Sequence, residues 1–145
     1  MKPILTVDSS RLFKFPQQRL FEAFSDPEQL VQWWGPEGFS STIHEFDLRP
    51  GGAFRLTLHG PNGTDYENDK RFTEVVVPEK VAFHHVQPIH DFTMSMTFAP
   101  EEESTRLAWH MEFFSGEGGE KLHDFIANAN EQNFDRLEAF LSANS

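Results

Sequence analysis

The chain has 145 residues, with 12 Lys or Arg against 23 Asp or Glu for a formal net charge of −11, and no cysteine. That charge opposes binding to phosphate backbones and to anionic lipid surfaces. The missing thiols exclude disulfides, thiol catalysis and thiolate metal sites.

The length fits one domain spanning residues 1–145, large enough to bury a core of its own. Sixteen Phe and three Trp make that core either unusually bulky or the wall of an aromatic-lined cavity. The first residues are too short in apolar run for a signal peptide, and no segment approaches a membrane span. The expected setting is the cytoplasm, with no membrane and no nucleic acid among the partners.

Leu5, Val7, Leu12, Phe13 and Phe15 make a β-rich opening before Pro16, a residue suited to the first turn of a helix. Gln17 to Ser25 reads as a short helix burying Leu20, Phe21 and Phe24. Ser25 and Glu28 have capping-box spacing for a second helix, which carries Leu30, Val31, Trp33 and Trp34 and must end near Gly35-Pro36.

From residue 41 to 114 the apolar period becomes two, with Phe46/Leu48, Phe54/Leu56/Leu58, Val81/Phe83, Phe92/Met94/Met96/Phe98 and Leu107/Trp109/Met111/Phe113 each on one face. Turn signals at Pro50-Gly51-Gly52, Pro61-Asn62-Gly63, Pro78-Glu79-Lys80, Pro88 and Glu101 to Ser104 separate the runs. The pattern predicts an antiparallel meander with one wet face.

Beyond Ser115-Gly116-Glu117-Gly118-Gly119, a flexible linker, the period returns to 3.6. Leu122, Phe125, Ile126, Ala129, Asn133, Leu137, Phe140 and Leu141 fall on one stripe of a long helix. A strand, two short helices, six strands and a long helix together predict an α+β domain whose curved sheet grips its last helix.

The residues Phe24-Ser25-Asp26-Pro27-Glu28-Gln29-Leu30, Trp33-Trp34-Gly35-Pro36-Glu37-Gly38-Phe39 and Asp47-Leu48-Arg49-Pro50-Gly51-Gly52 carry a resemblance. Gly60 to Thr64, Phe72 to Val75, Pro78 to Val81, Thr105 to Leu107 and Phe134 to Leu137 extend it over nearly the whole chain. In these motifs the chain resembles the START-like, helix-grip (SRPBCC) superfamily, in the branch named after the activator of the heat-shock-protein-90 ATPase.

The resemblance implies a helix-grip fold of about seven strands around a C-terminal helix, with a hydrophobic cavity between them. It implies small-molecule binding, stress-related roles, occasional enzymes or chaperone activation, and no shared catalytic motif. Where members often carry Gly and Trp in the last helix, this chain has Ala129 and Asn130, which implies a roomier and more polar cavity floor.

Strand phase sorts the histidines. His44 shares parity with Phe46 and His85 with Phe83, so both are expected on the inner face, while His59, His84 and His110 fall on the solvated one. No HExxH or comparable spacing supplies a metal site. His44 and His85 are either core histidines satisfied by hydrogen bonds or, the reading favoured here, polar anchors in an apolar pocket.

Asn130 and Asn133, on or near the buried stripe, either orient a ligand, hydrogen-bond an adjacent strand or lie just outside the interface. Met94, Met96 and Met111 suit a pocket tolerant of ligand shape or serve as core filler. Of Trp33 and Trp34, one packs and the other borders the cavity entrance. The glycines before the last helix do not form a phosphate loop, because Glu117 and Glu120 would oppose an anion and no Gly-Lys-Ser/Thr follows.

The expected function is reversible binding of a small apolar or aromatic molecule. Trp34, Phe54, Phe83, Met94, Met96, Trp109, Phe125 and Ala129 are expected to line the pocket, with His44, His85, Asn130 and Asn133 as anchors. No cofactor and no metal are expected, and the protein is a monomer or homodimer. The alternatives are an enzyme of cyclase or hydrolase type in the same cavity, or a module acting on a chaperone ATPase.

Overall fold

A computed structural model describes residues 2–85, 91–115 and 119–144. The turn expected at Pro88 and the Gly116–Gly118 part of the linker lie outside the described residues. The elements run β1 (Leu5–Phe13), α1 (Gln17–Ser25), α2 (Pro27–Leu30), β2 (Ser40–Phe46), β3 (Ala53–His59), β4 (Asp65–Val76), β5 (Lys80–His85), β6 (Phe92–Glu101), β7 (Ser104–Phe113) and α3 (Gly119–Ala143).

The seven strands form one antiparallel sheet in the order β1-β7-β6-β5-β4-β3-β2. Strands β2 to β7 are a meander, and β1 returns beside β7, so α1 and α2 lie in the crossing from one sheet edge to the other. The helix-grip arrangement expected from the apolar periods is therefore present. No helix among the described residues is long and apolar enough to cross a membrane.

The second helix departs from expectation. Its cap is Asp26, whose carboxylate accepts from the Glu28 N–H at 3.0 Å, and not Ser25. Asp26 directly precedes Pro27 at the first helical position, where a proline loses nothing. The α-helix stops at Leu30, and the chain turns on until the Trp33 and Trp34 N–H groups both bond to the Leu30 carbonyl.

The concave face buries Phe13, Phe54, Phe72, Phe83 and Phe113 from the sheet, with Phe24 and Trp33 from the helical segment and Phe134 from α3. Most rings meet edge to face with centroids 5 to 6.5 Å apart, the arrangement that aromatic quadrupoles favour.

The β2–β3 connection is tied to a third strand. Gly51 N–H bonds to the Phe72 carbonyl, and the Gly52 carbonyl accepts from Phe72 N–H at 2.9 Å, tying the bend to β4. A Cβ on Gly52 would lie 1.9 Å from the Asp47 carbonyl oxygen. A Cβ on Gly51 would meet nothing within 4 Å, although its φ of +84° disfavours one.

Gly52→Ala is accordingly expected to lose at least about 2 kcal/mol of stability. Gly51→Ala is expected to lose only about 1 kcal/mol, the cost of the left-handed conformation alone. Urea denaturation of the two variants checks this order, and equal losses would contradict it.

Candidate functional site

Strand β4 is mostly polar, yet its alternation brings Lys70 to the same face as Phe72, and both are buried. Lys70 is the in-register neighbour of Phe54 on β3 and of His85 on β5. Its Nζ lies 4.2 Å from the Phe54 ring centroid, 5.5 Å from that of Phe83 and 6.0 Å from Trp34. The residue is 4% exposed, and its amine has no hydrogen-bond partner among the described residues.

The cage is cation-compatible but dry. Aromatic faces attract an ammonium, but they do not replace the three hydrogen bonds it makes in water. Burial therefore pulls the Lys70 pKa down from 10.5 to about 7, against a smaller upward pull from the Asp69 carboxylate.

Trp34 forms one wall of this cage. Its ring is 5.5 Å from Trp109, 6.0 Å from Phe54 and 6.4 Å from Phe83. Trp33 meets it edge to face, with ring centroids 5.6 Å apart, and donates its indole N–H to the Ala23 carbonyl at 3.0 Å. The Trp109 indole N–H is a second buried donor with no acceptor among the described residues.

Helix α3 holds the tryptophan corner by its own polar groups. The Asn133 side-chain amide donates to the Trp33 carbonyl at 2.7 Å, and its carbonyl oxygen accepts from Gly35 N–H at 3.2 Å. One Arg136 nitrogen faces the carbonyls of Trp34, Gly35 and Pro36 at 3.4, 2.9 and 3.2 Å. Burial lowers the pKa of that guanidinium. Asn130 donates to the Ser9 hydroxyl on β1 at 3.1 Å.

Of the residues singled out in the sequence, Trp34, Phe54, Phe83, Met94, Met96, Trp109 and His85 are buried on the concave side. Register places Met94 between Phe83 and Met111, and Met96 between Val81 and Trp109. His85 lies against Phe92, with ring centroids 4.8 Å apart. Asn130 and Asn133 are buried, and the hydrogen bonds of Asn133 go to the chain itself.

Three of these residues are not where strand phase or helical phase puts them. A register shift between Ile43 and Glu45 breaks the alternation of β2, so His44 is exposed on the convex side. There its Nε2 meets the Thr57 hydroxyl at 2.7 Å, Thr57 donates to Glu67 at 2.9 Å, and the imidazole borders a cleft of about 410 Å³ beside α2. His44 is therefore not an inner-face anchor. Phe125 is 70% exposed and Ala129 half-buried, because the first turns of α3 do not press on the sheet as its later turns do.

Lys70 was not a candidate in the sequence. The available signal was its position two residues before Phe72 in a strand, which gives both the same face.

The family model described as Activator of Hsp90 ATPase homolog 1-like protein matches residues 14–142. No curated protein matches the sequence. Among solved structures, protein CV1439 from Chromobacterium violaceum superposes with a TM-score of 0.83 at 25% identity, covering 94% of this chain and 96% of that one. Protein NE0264 from Nitrosomonas europaea gives 0.83 at 23% identity, over 97% and 96%. The AHSA1 (SPO3351) protein from Silicibacter pomeroyi gives 0.81 at 21% identity, over 97% and 100%. The latter two likenesses speak to the fold alone.

The unpaired amine has a measurable signature. Between about pH 7 and about pH 10 the unfolded chain binds the proton that folded Lys70 has lost, so stability rises with pH by about 1.4 kcal/mol per unit. Below that window both states are charged and the full desolvation cost remains. Lys70→Met, which keeps the length and removes the charge, is expected to be more stable than the wild type by about 1 to 3 kcal/mol near pH 7 and to lack the rise. Urea titrations across that range check it, and parallel pH profiles for the two proteins would contradict it.

Proposed function

The chain belongs to the family described as Activator of Hsp90 ATPase homolog 1-like protein, and we propose that it reversibly binds a small, largely apolar or aromatic molecule between the concave face of its sheet and α3. The observation that carries this reading is the pair of buried N–H donors, Lys70 Nζ and Trp109 Nε1, without acceptors among the described residues in an otherwise aromatic environment. A folded core ordinarily pairs every such group, and an unpaired one marks a missing partner or a functional role.

The surroundings suit an apolar guest. Phe54, Phe83, Trp34 and Trp109 supply rigid flat surface, and Met94 and Met96 supply walls that adapt to shape. His85 and Asn130 add polar atoms at the margin, few enough to orient a ligand without making the site wet. On α3, Ala129 is half-buried and Phe125 largely exposed, so the helix is loosest where a guest would enter.

Native mass spectrometry of gently purified protein, set against the same sample after denaturation, tests the reading. The expected result is a defined extra mass that vanishes on unfolding and is reduced in Ala129→Trp, whose indole would compete with the guest beneath α3. Circular dichroism of the variant verifies that it is folded. The bare polypeptide mass, combined with no uptake from a panel of aromatic small molecules, would contradict it.

A further inference from the structure

We infer that the ligand carries an oxyanion on its apolar body, a carboxylate or phenolate, and that Lys70 receives it as an ammonium inside the ring of Phe54, Phe83 and Trp34. This rests on the binding reading above and adds the chemical class of the guest.

Lys70 lacks an acidic partner on the concave face among the described residues. Its in-register neighbours on the concave face are Phe54 on one side and His85 on the other, and neither is an acid. Trp34 from the corner, Met94 from β6 and Trp109 from β7 carry no charge, and the inward groups of α3, Asn130 and Asn133, are neutral amides. Arg11 on β1 is engaged by Glu131 and Asp135 of α3. The acid that acts on Lys70 is its sequence neighbour Asp69, and Asp69 is exposed and pairs with Arg55.

A buried ammonium without a carboxylate is costly, and a buried amine is an incomplete donor set. An anionic oxygen entering the cage removes both deficits, because it pairs the charge and accepts N–H bonds where no water competes. A second donor, the Trp109 indole N–H, belongs to the same ring cluster through Trp34. A neutral apolar guest would leave both donors unpaired, whereas a cationic one would meet a like charge.

Binding is then linked to a proton. The free site loses its charge near pH 7, and an oxyanion favours the charged form, so the complex holds the proton to higher pH. Affinity for the anion is flat below about pH 7 and falls by roughly tenfold per unit above it, with uptake of one proton per ligand. A carboxylate ligand is fully ionised throughout this window, so its own titration adds nothing.

Naphthoate and naphthamide, which share one ring system and differ in the anionic oxygen, are the probes for titration calorimetry on the full chain. The expected result is a preference for naphthoate of at least about tenfold near pH 6.5, the cost of an unmade charged hydrogen bond. That preference fades as pH rises, and heats in buffers of different ionisation enthalpy report the proton. Lys70→Met should abolish the preference, read as the ratio of the two affinities.

Equal affinities for the two probes in the unaltered protein would overturn the oxyanion inference while leaving the apolar site standing. Binding of neither probe would remove the site reading and the inference together. A pH dependence that survives in Lys70→Met would assign the proton to another group, with His85 first among them, and would overturn the role given to Lys70.

Discussion

The architecture hangs on the clip between α3 and the tryptophan corner. A helix laid across a sheet can slide, since apolar contact has no direction, and what fixes this one is a set of directional bonds. Asn133 satisfies the Trp33 carbonyl and the Gly35 N–H together, and Arg136 gathers three successive carbonyls of the same turn. These backbone groups have left the short helix α2 and belong to no strand, and apart from the Trp34 carbonyl, which also accepts from the Ser41 hydroxyl at 3.1 Å, they take their side-chain partners among the described residues from α3.

From that clip the interior follows. With the corner held, Trp34 is directed into the sheet against Trp109, Phe54 and Phe83, and Trp33 is turned away toward α1. Trp34 then closes one side of the cage around Lys70. The same polar residues that look like ligand anchors in a helical projection thus serve mainly to build the wall of the site. A lysine buried by aromatic packing, its amine without a hydrogen-bond partner among the described residues, is the feature that distinguishes this interior from an ordinary phenylalanine core.

Much of this was legible in the residues, and the failures have physical causes. The strands with apolar alternation, helix α1 and the long final helix follow directly from periods of two and 3.6. Strand β4 is carried by Phe72 and a run of charges, so its alternation is nearly silent, and Lys70 was hidden with it. His44 was assigned by parity, and a one-residue bulge reverses parity without leaving a sign in composition. Phe125 lies on the correct helical stripe, but a period reports which residues share a face and not how far the opposing surface extends. Helical phase puts Asn130 and Asn133 on or near the buried stripe without deciding their burial, and only the fold reveals that both are buried and that Asn133 bonds to a turn 100 residues away.

The proposed site depends on the Lys70 amine being buried in an aromatic cage. Its titration by heteronuclear NMR on lysine-labelled protein, followed at the Cε and Hε signals, tests this most directly. The account predicts a midpoint near 7, with Hε resonances displaced upfield by the rings of Phe54, Phe83 and Trp34. A midpoint near 10.4, the ordinary value for a hydrated lysine, with unshifted Hε signals, would mean that the amine is in solvent and would contradict the account.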